Sequence, residues 1–166
     1  MSKAFLIVGG TGQGKSTLAK SMLSKFDSDK AVIYDVNNEY SDYPNALNPQ
    51  EVSIDEFLTV CDNSRGAVCL MEEATIFLNP RGSNMDAQKL LVGKRHTNNI
   101  YILLFHSLAS IPKNIFYLVN YLYLFKTADD LKTIESRFDI PSVINALKTA
   151  KEKDLKVGQY ITVKVL

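Results

Sequence analysis

The stretch whose residue types and spacing could do chemistry is Gly9-Gly10-Thr11-Gly12-Gln13-Gly14-Lys15-Ser16. Its glycines let the backbone turn successive N–H groups toward an anion, and a helix beginning at Lys15 would add its positive end. Four glycines in six residues would be costly in conformational entropy without a use for the conformations they permit. The anion such a loop takes is the phosphate chain of a nucleotide. Lys15 would reach the β- and γ-phosphates and the Ser16 hydroxyl would complete a Mg²⁺ shell, so the expected cofactors are ATP and Mg²⁺. The expected nucleotide contacts are Gly9, Gly10, Thr11, Gly12, Gln13, Gly14, Lys15, Ser16 and Thr17.

A second group is Val68-Cys69-Leu70-Met71-Glu72-Glu73, an apolar run ending in two carboxylates. By position Glu72 would hold the metal, with Ser16, and Glu73 would orient or deprotonate an attacking water. Paired glutamates at a helix start can equally be dipole partners. His106 closes the run Ile100 to Phe105, where an imidazole could donate a hydrogen bond to a γ-phosphate or simply be a satisfied core or surface residue.

These residues need a scaffold that puts them on one edge. Short runs rich in β-branched and aromatic residues predict strands at Ala4–Val8, Ala31–Val36, Ala67–Met71, Ile100–Phe105 and Tyr121–Phe125. Helical spacing fits Lys15–Phe26, Ile54–Cys61, Met85–Arg95, Asp129–Phe138 and Pro141–Lys153. Near-continuous apolar strands alternating with helices predict an α/β fold, a three-layer P-loop NTPase core with a mostly parallel sheet. Likeness of the glycine loop and acidic strand to P-loop ATPases implies the ASCE type, with an additional strand between the glycine-loop strand and the acidic strand. Tyr160 to Val165 alternates more and reads as a C-terminal edge strand. Asn37 to Gln50 and Asn79 to Asn84 read as loops.

The bulk composition narrows the class. The 166 residues suit a single domain, 1–166, and 46% apolar against 22% charged residues exclude a disordered or collagen-like chain. No apolar stretch is long enough to cross a bilayer and no leader pattern opens the chain, so a cytoplasmic protein without membrane contact is expected. Cys61 and Cys69 read as buried thiols. A net charge of +1 gives no support to a nucleic-acid partner and forbids none, and no aromatic-basic platform is visible in the linear sequence.

The residues resemble the FtsK/HerA superfamily of DNA-pumping ATPases, and within it the compact packaging ATPases of phages and archaeal viruses. The likeness rests on four stretches: Gly9 to Ser16; Ile33-Tyr34-Asp35-Val36-Asn37-Asn38-Glu39-Tyr40; Cys69 to Glu73; and Lys94 to Ile100 leading to His106. It implies ATP hydrolysis coupled to DNA translocation by a homo-oligomeric ring, a hexamer or pentamer, around duplex DNA, with capsid vertex proteins as further partners. It also implies that Arg95 reaches a neighbouring subunit as an arginine finger, with Arg81 as a second candidate. Arg95 could otherwise be a plain helix C-terminal cation. His106 stands where the family usually carries Gln. Lys89, Lys94 and Arg81 are candidates for the DNA backbone, and His96 reads as a helix-end residue on terminal carbonyls.

Two other classes share parts of this pattern. A small-molecule or nucleotide kinase would have the same loop and length but normally clamps its phosphates with several arginines, and this chain has only Arg65, Arg81, Arg95 and Arg137. A Zot-like phage assembly protein with little turnover would share the same stretches, although that group usually carries a membrane span.

Overall fold

A computed structural model describes residues 2–166. The chain opens with β1 (Lys3–Val8), α1 (Lys15–Leu23), a short 3₁₀ turn (Ser28–Lys30), β2 (Ala31–Tyr34) and β3 (Ala46–Leu47). It continues through α2 (Ile54–Asn63), β4 (Val68–Met71), α3 (Ala74–Phe77), α4 (Met85–Thr97) and β5 (Ile100–Phe105). A second 3₁₀ turn (Leu108–Ser110), α5 (Lys113–Phe116), β6 (Tyr121–Phe125), α6 (Leu131–Arg137), α7 (Pro141–Glu152) and β7 (Tyr160–Lys164) complete it.

The strands form one seven-stranded sheet in the order β3-β2-β4-β5-β1-β6-β7. Every neighbouring pair is parallel except β6 and β7. The sheet is the one expected: β5 lies between the glycine-loop strand β1 and the acidic strand β4, and β7 is the added edge. Central strands are buried on both faces because helices cover both, which is why β2 and β4 are apolar at every position.

Alternate residues of each strand enter separate layers. Leu6, Val8, Tyr34, Met71, Leu103, Phe105, Leu122 and Leu124 pack with residues of α2, α4, α5, α6 and α7. On the opposite face Ile7, Ile33, Leu70, Ile102 and Leu104 pack with Ala19 and Leu23 of α1.

Several boundaries differ from expectation, each for a local reason. The first helix stops at Leu23 rather than Phe26, because Lys25 N–H and Phe26 N–H donate to the carbonyls three residues back, Met22 O at 3.3 Å and Leu23 O at 2.9 Å, and tighten the chain into a turn. β2 ends at Tyr34: Asp35 N–H still donates to Leu47 O at 3.0 Å, but the Asp35 carboxylate accepts from Glu39 and Tyr40 N–H and turns the chain away. Asp129 lies outside α6, whose N-cap is Asp130 accepting from Thr133 N–H at 3.0 Å. The loop Asn37–Gln50 contains β3, held by pairing with Ile33 and Tyr34. α2 begins at a reciprocal cap, Ser53 with Glu56, which satisfies two otherwise orphaned amides.

Candidate functional site

Parallel strands put their C-terminal ends on one edge, and that edge collects the expected residues other than Arg95, with Gly9, Gly10 and Glu72 behind the cleft rather than lining it. A cleft of about 410 Å³ is lined by Thr11 to Thr17 on one side and by Asn37, Glu39, Glu73, Leu104 and His106 on the other, with Val157 at its rim.

The loop is shaped by its glycines. Gly12 and Gly14 hold φ of +74° and +103°, in the left-handed region that side chains disfavour. A Cβ on Gly9 would stand 2.6 Å from Phe125 Cβ, so β1 and β6 approach here only because the residue is glycine. Gly9 N–H donates to Phe105 O at 3.1 Å and Gly10 N–H to Lys126 O at 2.9 Å, tying the loop to both neighbouring strands.

Lys15 is buried, and its ammonium donates to Gly9 O at 2.8 Å and Gly10 O at 3.0 Å. Burial lowers its pKa, against the opposing pull of Glu73 and Glu72. Ser16 and Thr17, at the open end of α1, line the cleft.

The two adjacent carboxylates have different surroundings. Glu72 is 1% exposed; Asn37 N–H donates to its Oε2 at 3.2 Å, and its Oε1 is buried with no hydrogen-bond partner among the described residues. Burial raises its pKa to about 6, helped by Glu39 and Asp35 and opposed by the Asn37 bond. Glu73 is held at φ +51°, ψ +39°, a left-handed conformation costing a non-glycine residue about 1–2 kcal/mol. That conformation turns it into the cleft, where it pairs with His106 Nε2. His106 is fixed in turn by its own N–H, which donates to Thr75 Oγ1 at 3.1 Å.

The buried, unanswered Oε1 of Glu72 and the Ser16 hydroxyl in the cleft are hard oxygen donors of the kind Mg²⁺ takes, so the residues present fit that ion. Among the described residues no cluster of three or more His, Cys, Asp or Glu side chains forms a metal site by itself. Mg²⁺ would therefore share its coordination with a nucleotide and water.

The structure does not bring Arg95 to this cleft. α4 runs back across the sheet to the start of β5, about 19 Å for its thirteen residues, and leaves Arg95 exposed on the far edge. Arg81 is exposed in the turn before α4, on the same edge as the glycine loop. Asn84 Nδ2 donates to Asn79 O and Gly82 O, and Arg137 donates to Pro80 O, so that turn is well anchored. Lys94 is corrected as a DNA candidate: its ammonium is half-buried and donates to Leu91 O at 3.1 Å and Leu118 O at 3.0 Å. His96, in the last turn of α4, is exposed. Lys89 remains exposed, 3.4 Å from Asp86.

Several site residues have only weak sequence signals. Asp35 is buried and accepts from Glu39 N–H at 2.9 Å and Tyr40 N–H at 3.1 Å, shaping the turn that carries Asn37 to Glu72. Asp129, also buried, accepts from Leu108 N–H at 2.7 Å and Ala109 N–H at 3.0 Å and so anchors the turn after His106. The loop before β7 closes the other side: Gly158 N–H donates to Gln13 O at 2.9 Å, and Val157 beside it is 70% exposed. Asp154 in that loop joins Lys126 and Lys156, which push its pKa down to about 2. Asp35 stands in the stretch Ile33 to Tyr40 that carries the family likeness, whereas for Asp129 an Asp followed by turn residues is the signal that could have found it.

The sequence profile described as the central domain of helicase HerA matches residues 1–157. The chain belongs to the HerA central-domain family. This HerA-family chain is also similar to the genome-packaging NTPase B204 of Sulfolobus turreted icosahedral virus 2, solved with AMPPCP, at 20% identity and a TM-score of 0.77. That match covers 98% of this chain and 92% of the other. B204 from Sulfolobus turreted icosahedral virus, described as a DNA-packaging ATPase, gives 16% identity and a TM-score of 0.73 over 98% and 92%. The N-terminal domain of zonular occludens toxin from Neisseria meningitidis gives 16% and 0.58 over 87% and 97%. At these identities the likeness is one of fold. No curated protein sequence matches. Among the described residues no helix is long and apolar enough to cross a membrane.

Proposed function

We propose that this HerA-family chain is an ATPase that binds ATP with Mg²⁺ and uses its hydrolysis to move DNA, in the manner of a viral genome-packaging motor. The observation that carries this is the single cleft that gathers the glycine loop, Lys15, Ser16, Glu73 and His106.

The roles follow from the geometry. The amides of the loop from Gly12 to Thr17 open toward the cleft and would hold the phosphate chain. Lys15, now on two loop carbonyls, would exchange them for phosphate oxygens. Mg²⁺ bound with the nucleotide would neutralise charge on the β- and γ-phosphates, held by Ser16 and, through water, by Glu72. Glu73 would orient the attacking water and take its proton, and His106 would hold Glu73 in place and sense the γ-phosphate. Val157 at the rim offers an apolar surface for the base.

A ring fits the position of Arg95. On its own chain it cannot serve the cleft, whereas on an exposed helix face it is free to reach a neighbour's, where an arginine in trans adds roughly 10³–10⁵ in turnover in other nucleotide hydrolases. The B204 proteins, described as a genome-packaging NTPase and a DNA-packaging ATPase, support packaging as the task; in this reading DNA would be gripped through its phosphates and capsid vertex proteins would be docking partners. The fold likeness to the zonular occludens toxin domain supports the second reading, an assembly ATPase of little turnover.

The test is ATP hydrolysis by wild type and Lys15→Ala with and without DNA. Turnover should be stimulated by DNA and lost in the variant. Nucleotide binding with no turnover under either condition favours the assembly reading, and phosphate transfer to a small acceptor would mark a kinase.

A further inference from the structure

The two faces of the sheet are covered unequally. α2, α4, α5, α6 and α7 contribute to the layer on one side, while α1 provides the helical packing on the other and covers its middle. Over β6 and β7 on the α1 side no helix follows among the described residues. The burial alternation records this: Leu122, Leu124 and Val163 are buried, whereas Tyr121 and Tyr123 are half-buried and Tyr160, Thr162 and Lys164 exposed.

Register shows what shares this open strip. Tyr121 is level with Phe5 on one side and Lys164 on the other, Tyr123 with Thr162, and Phe125 with Tyr160. The rings form a continuous group: Phe5 is stacked with Tyr121 (5.6 Å between centroids, 17° between planes) and with Tyr123 (6.1 Å, 23°), and Tyr160 meets Tyr123 edge to face at 5.5 Å. Lys3 Nζ lies 5.1 Å from the Tyr121 centroid. No carboxylate is among the strand residues of the strip. An aromatic-basic platform that no linear stretch reveals is thus assembled from three strands.

We propose that this face binds single-stranded DNA, with an unpaired base stacked on the exposed Tyr160 ring, its neighbours against the outer edges of Phe5, Tyr121 and Tyr123, and phosphates against Lys3 and Lys164. This rests on the DNA-handling reading above and deepens it by naming the form of the strand. Aromatic side chains on an open sheet face offer sequence-tolerant stacking, because every base has a π-face. The strip along β7 is about 14 Å long at ~3.4 Å per residue, enough for two or three bases. A duplex keeps its base faces inside and would meet only the lysines. Self-association through the strip is disfavoured by charge: two copies face to face would leave the lysines of both without a carboxylate.

Binding is measured by fluorescence anisotropy of a labelled oligothymidylate and a blunt duplex of equal length, without nucleotide, so that failure of the ATPase reading leaves the readout intact. Wild type should prefer the single strand. Tyr160→Ala should weaken single-strand binding roughly tenfold and Tyr160→Phe should preserve it. Lys164→Gln should lower the salt slope by about 0.7. Thr162→Glu, at an exposed position, keeps the fold and should abolish the preference. Equal affinity for both forms, or Tyr160→Ala, Lys164→Gln and Thr162→Glu each binding like wild type, would overturn the proposal. So would sedimentation showing that the variants dissociate an oligomer while oligonucleotide binding is unchanged, since the strip would then be a contact between copies.

Discussion

The two edges of the same sheet treat their polar groups in opposite ways. At the edge where the parallel strands begin, Asn99 is fully buried and fully used: Oδ1 accepts from Ala67 N–H at 3.0 Å, and Nδ2 donates to Cys61 O at 3.0 Å and Ser64 O at 3.2 Å. Asn120 Oδ1 accepts from Ala4 N–H at 2.9 Å, and Lys94 caps two carbonyls. At the edge where they end, Glu72 Oε1, Gln13 Oε1 and Tyr40 Oη are buried without partners among the described residues, and Glu73 is held in a left-handed conformation. Arg137 Nε is a further orphan, although its guanidinium otherwise binds Pro80 O and Ile111 O. Buried polar groups are costly unless answered, so one edge has spent its polar groups on holding the chain together. The other keeps unused hydrogen-bonding capacity and backbone strain of the kind that a bound ligand can use.

This contrast separates the effects of substitutions. The largest expected effect is on turnover at the strand-end edge: Glu73→Gln should lower ATP hydrolysis by about 10²–10⁴ while nucleotide is still bound and folding is nearly unchanged. Hydrolysis at the wild-type rate would remove Glu73 as the base and leave it a structural partner of His106. Next comes Asn99→Ala at the opposite edge, which leaves Ala67 N–H and the Cys61 and Ser64 carbonyls unanswered and should cost roughly 2–4 kcal/mol in denaturant unfolding. Its turnover per folded molecule should stay within a few-fold of wild type. Lost turnover with undiminished stability would break the division between the edges.

How much of this was legible in the sequence follows the same division. The glycine loop, the apolar strands and the acidic strand end are local patterns, so the place of β5 between β1 and β4 and the gathering of Lys15, Glu73 and His106 could be anticipated. The alternation of Tyr160 to Val165 marked an edge strand because one face of β7 packs on α7 and the other does not. What could not be read depends on contacts distant in sequence. β3 is two residues whose pairing with β2 outweighs an Asn- and Pro-rich context. Asp129 looked like the start of a helix, yet its carboxylate holds a turn twenty residues earlier. Arg95 and Lys94 are neighbours in sequence, and only the packing of α5 against α4 shows that one is tied down and the other free. The aromatic strip is legible only once the register of three strands is known.

The smallest effect is also the sharpest probe of the contrast, because it concerns stability at the functional edge. Glu72 titrates near 6 in the folded chain against 4.5 for the ordinary group, chiefly because burial disfavours its charge. The folded state therefore binds more protons than the unfolded one between these values, and stability falls as pH rises through that window. Below about pH 4.5 the carboxyl is neutral in both states and Glu72→Gln should match wild type. Above about pH 6 the wild type has lost up to about 2 kcal/mol that the neutral amide keeps, so the variant should be the more stable chain at pH 7.5. Magnesium nucleotide should reverse that order, since a cation near Oε1 answers the charge that burial opposes. Denaturant unfolding of both chains at pH 4 and pH 7.5, with and without magnesium nucleotide, reads all of this. A stability difference that ignores both pH and ligand would make Glu72 an ordinary core residue, and the strand-end edge would no longer differ in kind from the one opposite.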